Sequence, residues 1–143
     1  MAVKLISNFL SVKKKVGEAV PPRVMRACHE VRNEWLSVLS GARSGRRYKV
    51  PATGKKGVRG SGTYYTASAP GEAPAQRLGD LRRSLRVQPR IEPGRVQARV
   101  GSELEYAVFL EYGTRTMQPR PHLSIAYERA LPAIRAIFRE PLL

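Results

Sequence analysis

Chemistry in this chain has to start from few residues. One carboxylate, Glu111, ends a compact apolar run of Tyr106, Val108, Phe109 and Leu110, and Tyr112 and Gly113 follow it. A loop with Thr114, Arg115, Met117, Pro119, Arg120 and Pro121 comes next. A general acid would need a second, differently tuned carboxylate nearby, and Glu103 and Glu105 on short neighbouring elements do not make that pattern. Pairing of Glu111 with Arg115 or Arg120 is the expected role, locking the loop. The two histidines, His29 and His122, are far apart and lack ligand spacing, and the lone Cys28 lies on an apolar helix stripe without a base beside it. The glycine-rich segment around Lys55 and Lys56 lacks the order of a phosphate-binding loop. These residues predict no enzyme, no metal and no cofactor.

The other chemistry-bearing set is basic. Arg43, Arg46, Arg47, Lys49, Lys55, Lys56 and Arg59 follow one another with no acidic residue between them, and Tyr48, Tyr64 and Tyr65 accompany them. The whole chain carries 26 Lys+Arg against 11 Asp+Glu, a net charge of +15. Cations with interleaved aromatics suit phosphate contact and base stacking, without any motif that reads sequence. A solvated arm, or one docked on acidic faces of neighbouring subunits, is the plainer alternative. The segment cannot form a core by itself and should be a long hairpin or loop.

The elements that must hold these groups follow from periodicity. At 143 residues the chain fits a single domain, with residues 1–40 helical, 41–76 a basic arm and connector, and 77–143 an α+β body. Leu5, Phe9, Val12, Val16 and Ala19 share a helix face. Pro21 and Pro22 predict a break or sharp kink, with a second helix from Pro22 to Ser40 burying Val24, Cys28, Val31, Trp35, Val38 and Leu39. Leu78, Leu81 and Leu85 predict a short helix. Residues 87–91 and 95–101 read as antiparallel strands around Glu92-Pro93-Gly94, with Pro89 on an edge. A last helix from Pro121 to Arg139 should bury Leu123, Tyr127, Ala130, Leu131, Ile134 and Phe138, with an irregularity at Pro132. The fold class is α+β: N-terminal helices, a small antiparallel sheet with a long basic hairpin, and a C-terminal helix. No apolar run is long enough to span a bilayer, so no membrane partner is expected.

Three stretches in order carry a family resemblance: SAPGEAPA at 68–75, LGDLRRSL at 78–85 and YAVFLEYGTRTMQPRPHL at 106–123. Together they resemble the gene-ten-product family of HK-type phages, small neck or tail-completion proteins of long, non-contractile-tailed phages. Tyr106, Ala107, Glu111, Tyr112, Gly113, Thr114, Met117, Pro119, Arg120, Pro121 and Leu123 match the family pattern, whereas His122 stands where phenylalanine is common, giving a more polar, pH-sensitive plug. The resemblance implies a structural virion protein at the head–tail junction or top of the tail, present in the host cytoplasm during assembly. It implies a homo-oligomeric ring, six-fold by expectation, joined to head-closure or stopper and tail-tube or terminator proteins around the DNA channel. It assigns the corner residues, Tyr106 to Pro121, to the assembly interface, and leaves neck protein and tail terminator both open. A non-specific nucleic-acid-binding module using the basic arm is the alternative function.

Overall fold

A computed structural model describes residues 2–49, 64–76 and 78–141, the stretch 2–12 as backbone alone. Helix α1 (Ala2–Ser40) is followed by strands β1 (Arg47–Lys49) and β2 (Tyr64–Thr66), helix α2 (Asp80–Arg83), strands β3 (Leu85–Glu92) and β4 (Arg95–Ser102), and helices α3 (Tyr106–Tyr112) and α4 (Leu123–Arg139). The α+β class stands. The sheet is two separate antiparallel ribbons, β1–β2 with Arg47 opposite Thr66, and β3–β4 with Leu85 opposite Ser102. In the second ribbon Glu92 faces Arg95, so only Pro93 and Gly94 turn the chain. Proline supplies the fixed φ of such a turn, and Gly94 takes a φ of 74°.

The core sits where both terminal helices meet the body. Trp35, Val38 and Leu39 of α1 pack with Ala73, Leu81, Leu85, Ala107 and Ala126. Small residues at 107 and 126 leave room for the indole, which is only 2% exposed. Burying a residue of this size contributes about 2–3 kcal/mol by area removed from water. At their far ends the two helices are tied by Arg26, whose guanidinium donates to both carboxylate oxygens of Glu140 at 2.8 and 3.0 Å. Arg23 donates to the Glu140 and Pro141 carbonyls. Since His122 at the start of α4 reaches Trp35 and Glu140 at its end reaches Arg26, the two helices run antiparallel.

Three expectations need correction. First, α1 continues through Pro21 and Pro22 instead of breaking there. The prolines free the carbonyls of Gly17 and Glu18, four residues back, and both positions are exposed to water. Gly17 has no Cβ and open space around it, so the helix can accommodate the first pyrrolidine ring. Second, the buried stripe of α4 is Ala126, Ala130 and Ile137, flanked by half-buried Leu123, Leu131 and Ile134, while Tyr127 and Phe138 face outward. Alanines fit beside Trp35 where a phenol ring would not. Third, α2 is a single turn: Leu78 lies outside it, exposed, and Leu85 already belongs to β3. The Ser84 hydroxyl ends that turn by donating to the Leu81 carbonyl at 2.8 Å and lies 2.6 Å from the Ser102 hydroxyl.

Candidate assembly interface

The α3–α4 corner is built on Glu111. A helix start leaves its first backbone N–H groups without intrahelical partners, and His122, the residue before α4, offers no side-chain cap. Glu111 reaches across from α3 to fill that role. Its Oε2 accepts from the N–H groups of His122 at 2.8 Å and Leu123 at 2.9 Å. Its Oε1 accepts from the Ser124 N–H at 3.0 Å and the Ser124 hydroxyl at 2.6 Å. Burial pushes this carboxyl up, but the Ser124 hydroxyl and the three amides together hold it below its ordinary value. The expected pairing with Arg115 or Arg120 is therefore absent. Preorganised amides at the positive end of a helix hold the carboxylate without ordering a long side chain.

Arg120 acts elsewhere. Its backbone N–H donates to the Leu110 carbonyl at 2.7 Å, and its guanidinium donates to the carbonyl and hydroxyl oxygens of Ser68 in the connector. The Gly71 N–H returns the tie by donating to the Pro119 carbonyl at 3.1 Å. The intervening loop closes through the Thr114 N–H on the Met117 carbonyl at 2.9 Å, with Thr114 Oγ1 accepting from the Met117 N–H at 3.1 Å. Gly113 has a φ of 77°, and a Cβ there would stand 2.7 Å from the Met117 carbonyl oxygen and 2.9 Å from the Pro119 nitrogen. Only glycine fits. Arg115 is exposed and has no ion-pair partner among the described residues.

The outer face of this frame is apolar. Tyr106, Val108 (58% exposed), Phe109 (55%) and Tyr112 (78%) project from α3, whose inner side is Ala107, Leu110 and Glu111. A groove of about 170 Å³ beside it is lined by Leu39, Pro74, Leu78, Leu81, Tyr106 and Leu110. The sequence reading names Tyr106 and Tyr112 as interface residues but does not separate outward-facing Val108 and Phe109 from inward-facing Ala107 and Leu110 within the same apolar run.

The basic segment divides in two. Arg43 turns inward, its guanidinium donating to the carbonyls of Val38 (2.7 Å), Gly41 (2.7 Å), Ala42 (2.9 Å) and Pro74 (3.2 Å), so it caps the end of α1 instead of serving the arm. Cations in a last turn suit the free carbonyls there. Arg46, just before β1, and Arg47 and Lys49 on it are exposed. Arg46 lies over the Tyr48 ring at 5.6 Å and Arg47 over Tyr64 at 5.1 Å, while Tyr48 and Tyr65 stack at 5.6 Å. Lys55, Lys56 and Arg59 lie outside the described residues. The arm's base is latched by Glu72, which accepts from the Ser44 hydroxyl (2.5 Å), the Ser44 N–H (3.1 Å) and the Ala69 N–H (2.9 Å). The Ser44 hydroxyl and these amides bring its pKa down to about 2.

The deepest polar group is the histidine read from the sequence as a polar plug, and what the sequence did not show is its partner. His122 is 2% exposed, stacked on Trp35 at 5.4 Å between centroids, and hydrogen-bonded to it. Cys28 is half-buried and its thiol is pushed up by burial, the wrong direction for a nucleophile. Among the described residues no group of three or more His, Cys, Asp or Glu side chains stands where it could hold a metal, and no helix is long and apolar enough to cross a membrane.

No match was found among curated proteins or among solved structures. A family model does match, over residues 44–113: HK97-gp10-like, described as "Bacteriophage HK97-gp10, putative tail-component". The matched span runs from the arm through both ribbons to the glycine that ends α3. It contains two of the three stretches on which the resemblance was drawn and reaches into the third, and over those residues, just under half of the chain, the protein is similar to the HK97-gp10-like family of bacteriophage tail components.

Proposed function

We propose that the protein is a structural, non-catalytic virion component that assembles through the outer face of α3. The carrying observation is the cluster of Tyr106, Val108, Phe109 and Tyr112 facing solvent on a helix that Glu111, Gly113 and Arg120 hold rigidly. Four large apolar side chains on seven residues form a patch of the kind that marks a protein–protein contact. With the family match, this favours a ring of identical subunits, six by expectation, at the head–tail junction, acting as neck, tail-completion or terminator protein. Its neighbours would be head-closure and tail-tube proteins, with DNA passing through the lumen.

Light scattering on the purified chain, alone and with DNA, tests the reading. A concentration-dependent ring that the double variant Phe109→Asp/Tyr112→Asp reduces to monomer, with unchanged far-UV circular dichroism, is the expected result. Normal infectious particles from a phage carrying that double variant would overturn it.

A second reading rests on the cation–aromatic ladder of Arg46, Arg47, Tyr48 and Tyr64 at the hairpin base. It makes the protein a non-specific nucleic-acid-binding module. Tight DNA binding by a monomer, weakening steeply with salt, would favour it.

A further inference from the structure

His122 sits where α1, α3 and α4 meet, and two neighbours fix its tautomer. Nδ1 lies 2.9 Å from Trp35 Nε1; an indole nitrogen only donates, so Nδ1 carries the lone pair. Nε2 lies 3.2 Å from the Ala107 carbonyl oxygen, which only accepts, so Nε2 carries the hydrogen. A third group competes for the first atom: Glu111 Oε2 stands 3.4 Å from the same Nδ1. While Nδ1 is unprotonated it serves the indole, and the carboxylate gains nothing from it. Once Nδ1 holds a proton it faces a donor in Trp35 and an acceptor in Glu111. The two partners are mutually exclusive.

We propose that His122 is a proton-operated switch, bonding Trp35 of α1 when neutral and, on taking a proton from solvent at Nδ1, releasing the indole N–H and pairing with Glu111 of α3. The cavity of about 280 Å³ beside the ring is lined by Trp35, Ser102, Leu104, Val108, Glu111 and Tyr112, among others. From α1 it is faced by the indole, from the end of β4 by uncharged residues, and from α3 by Glu111 and the largely exposed phenol of Tyr112. Glu111 is therefore the one carboxylate lining it. Burial pushes the imidazole down, with Glu111 and the Ala107 carbonyl opposing, so the switch operates below the ordinary histidine range. Its backbone stays in place through the Glu111 cap, so the change falls on the bond between α1 and the start of α4. A consequence for assembly rests on the reading of α3 as the interface; the switch itself does not.

Trp35 is the chain's only tryptophan, so its indole N–H resonance and its fluorescence report this bond without interference. The full chain is titrated from about pH 8 to about pH 4, through the ordinary histidine range and below it. The indole signal should move with a single midpoint while far-UV circular dichroism stays constant. His122→Gln, which keeps an acceptor for the indole, should abolish the movement, and His29→Ala should leave it intact. Glu111→Gln should lower the midpoint by about one pH unit, because the charge favouring the imidazolium is gone. A flat response in the unmodified chain, a response surviving in His122→Gln, or one that tracks loss of circular dichroism would overturn the proposal. None of these readouts depends on whether the protein forms rings.

Discussion

At the scale of single residues, Glu111 and Gly113 carry the corner. Glu111→Gln keeps the shape but replaces a charged acceptor with an amide that turns an NH2 group toward backbone donors. The expected loss is about 1–3 kcal/mol in urea unfolding, with an unchanged slope. Gly113→Ala meets both a left-handed φ and the Met117 carbonyl, and should cost about 1–3 kcal/mol in the same experiment. The pH dependence has a definite sign. The folded pKa of His122 lies below the unfolded value near 6.5, so the unfolded chain binds the extra proton first. Its stability contribution is complete above that value and falls as pH drops through the folded pKa. Glu111 and Glu72 are lowered from 4.5 in the same sense, so a second decline should follow on further acidification, continuing toward about pH 2 for Glu72. Thermal midpoints measured across that range in matched buffers check both steps, and the first should be absent from His122→Gln.

At the scale of elements, the connector and the corner form one unit through Arg120 and Ser68. Arg120→Lys offers a point charge where a fork holds two oxygens, so it should not rescue the contact. It should cost about 1–2 kcal/mol and speed hydrogen exchange at the Gly71 amide, which donates to Pro119 in the adjoining loop. Most elements were legible: the β3–β4 ribbon, the last helix and the Trp35 stripe of α1 follow from alternation or three-and-four spacing, and the first ribbon reads only as a long hairpin or loop. What escaped has a physical reason. Pro21 and Pro22 read as a break because local rules cannot register that the freed carbonyls point to water. Tyr127 and Phe138 read as core because hydrophobicity alone does not reveal that Ala126, Ala130 and Ile137 take the inward face of α4. Glu111 looked like an ion-pairing partner because the sequence does not show three amides of another helix converging on it.

At the scale of the whole molecule, charge and apolar surface lie on different parts. The run of cations uninterrupted by acidic residues lies in the arm, and the exposed aromatics of α3 belong to the corner. The two functional readings therefore separate experimentally. Lys49 pairs with Tyr64, so residues 50–63 can be replaced by a two-residue turn that suits the ribbon. The body should keep its thermal midpoint within a few degrees. Loss of Lys55, Lys56 and Arg59 should flatten the plot of log affinity for DNA against log salt by roughly 2–3 in slope, if each had met a phosphate. Head–tail joining should fail in phage carrying the replacement if the arm clasps a neighbour, which counts of tailless heads and free tails by electron microscopy will reveal.

The family match ends at Gly113, yet the partners that complete its core come from outside it: Trp35, Val38 and Leu39 before, Ala126 after. Kinship and folding autonomy thus have different boundaries in this chain. Residues 44–113 excised alone would leave Leu81, Leu85 and Ala107 facing solvent, and would leave Glu111 without a helix to cap. A graft or swap between relatives drawn at the matched boundaries should misfold; one that carries both terminal helices with it should exchange intact.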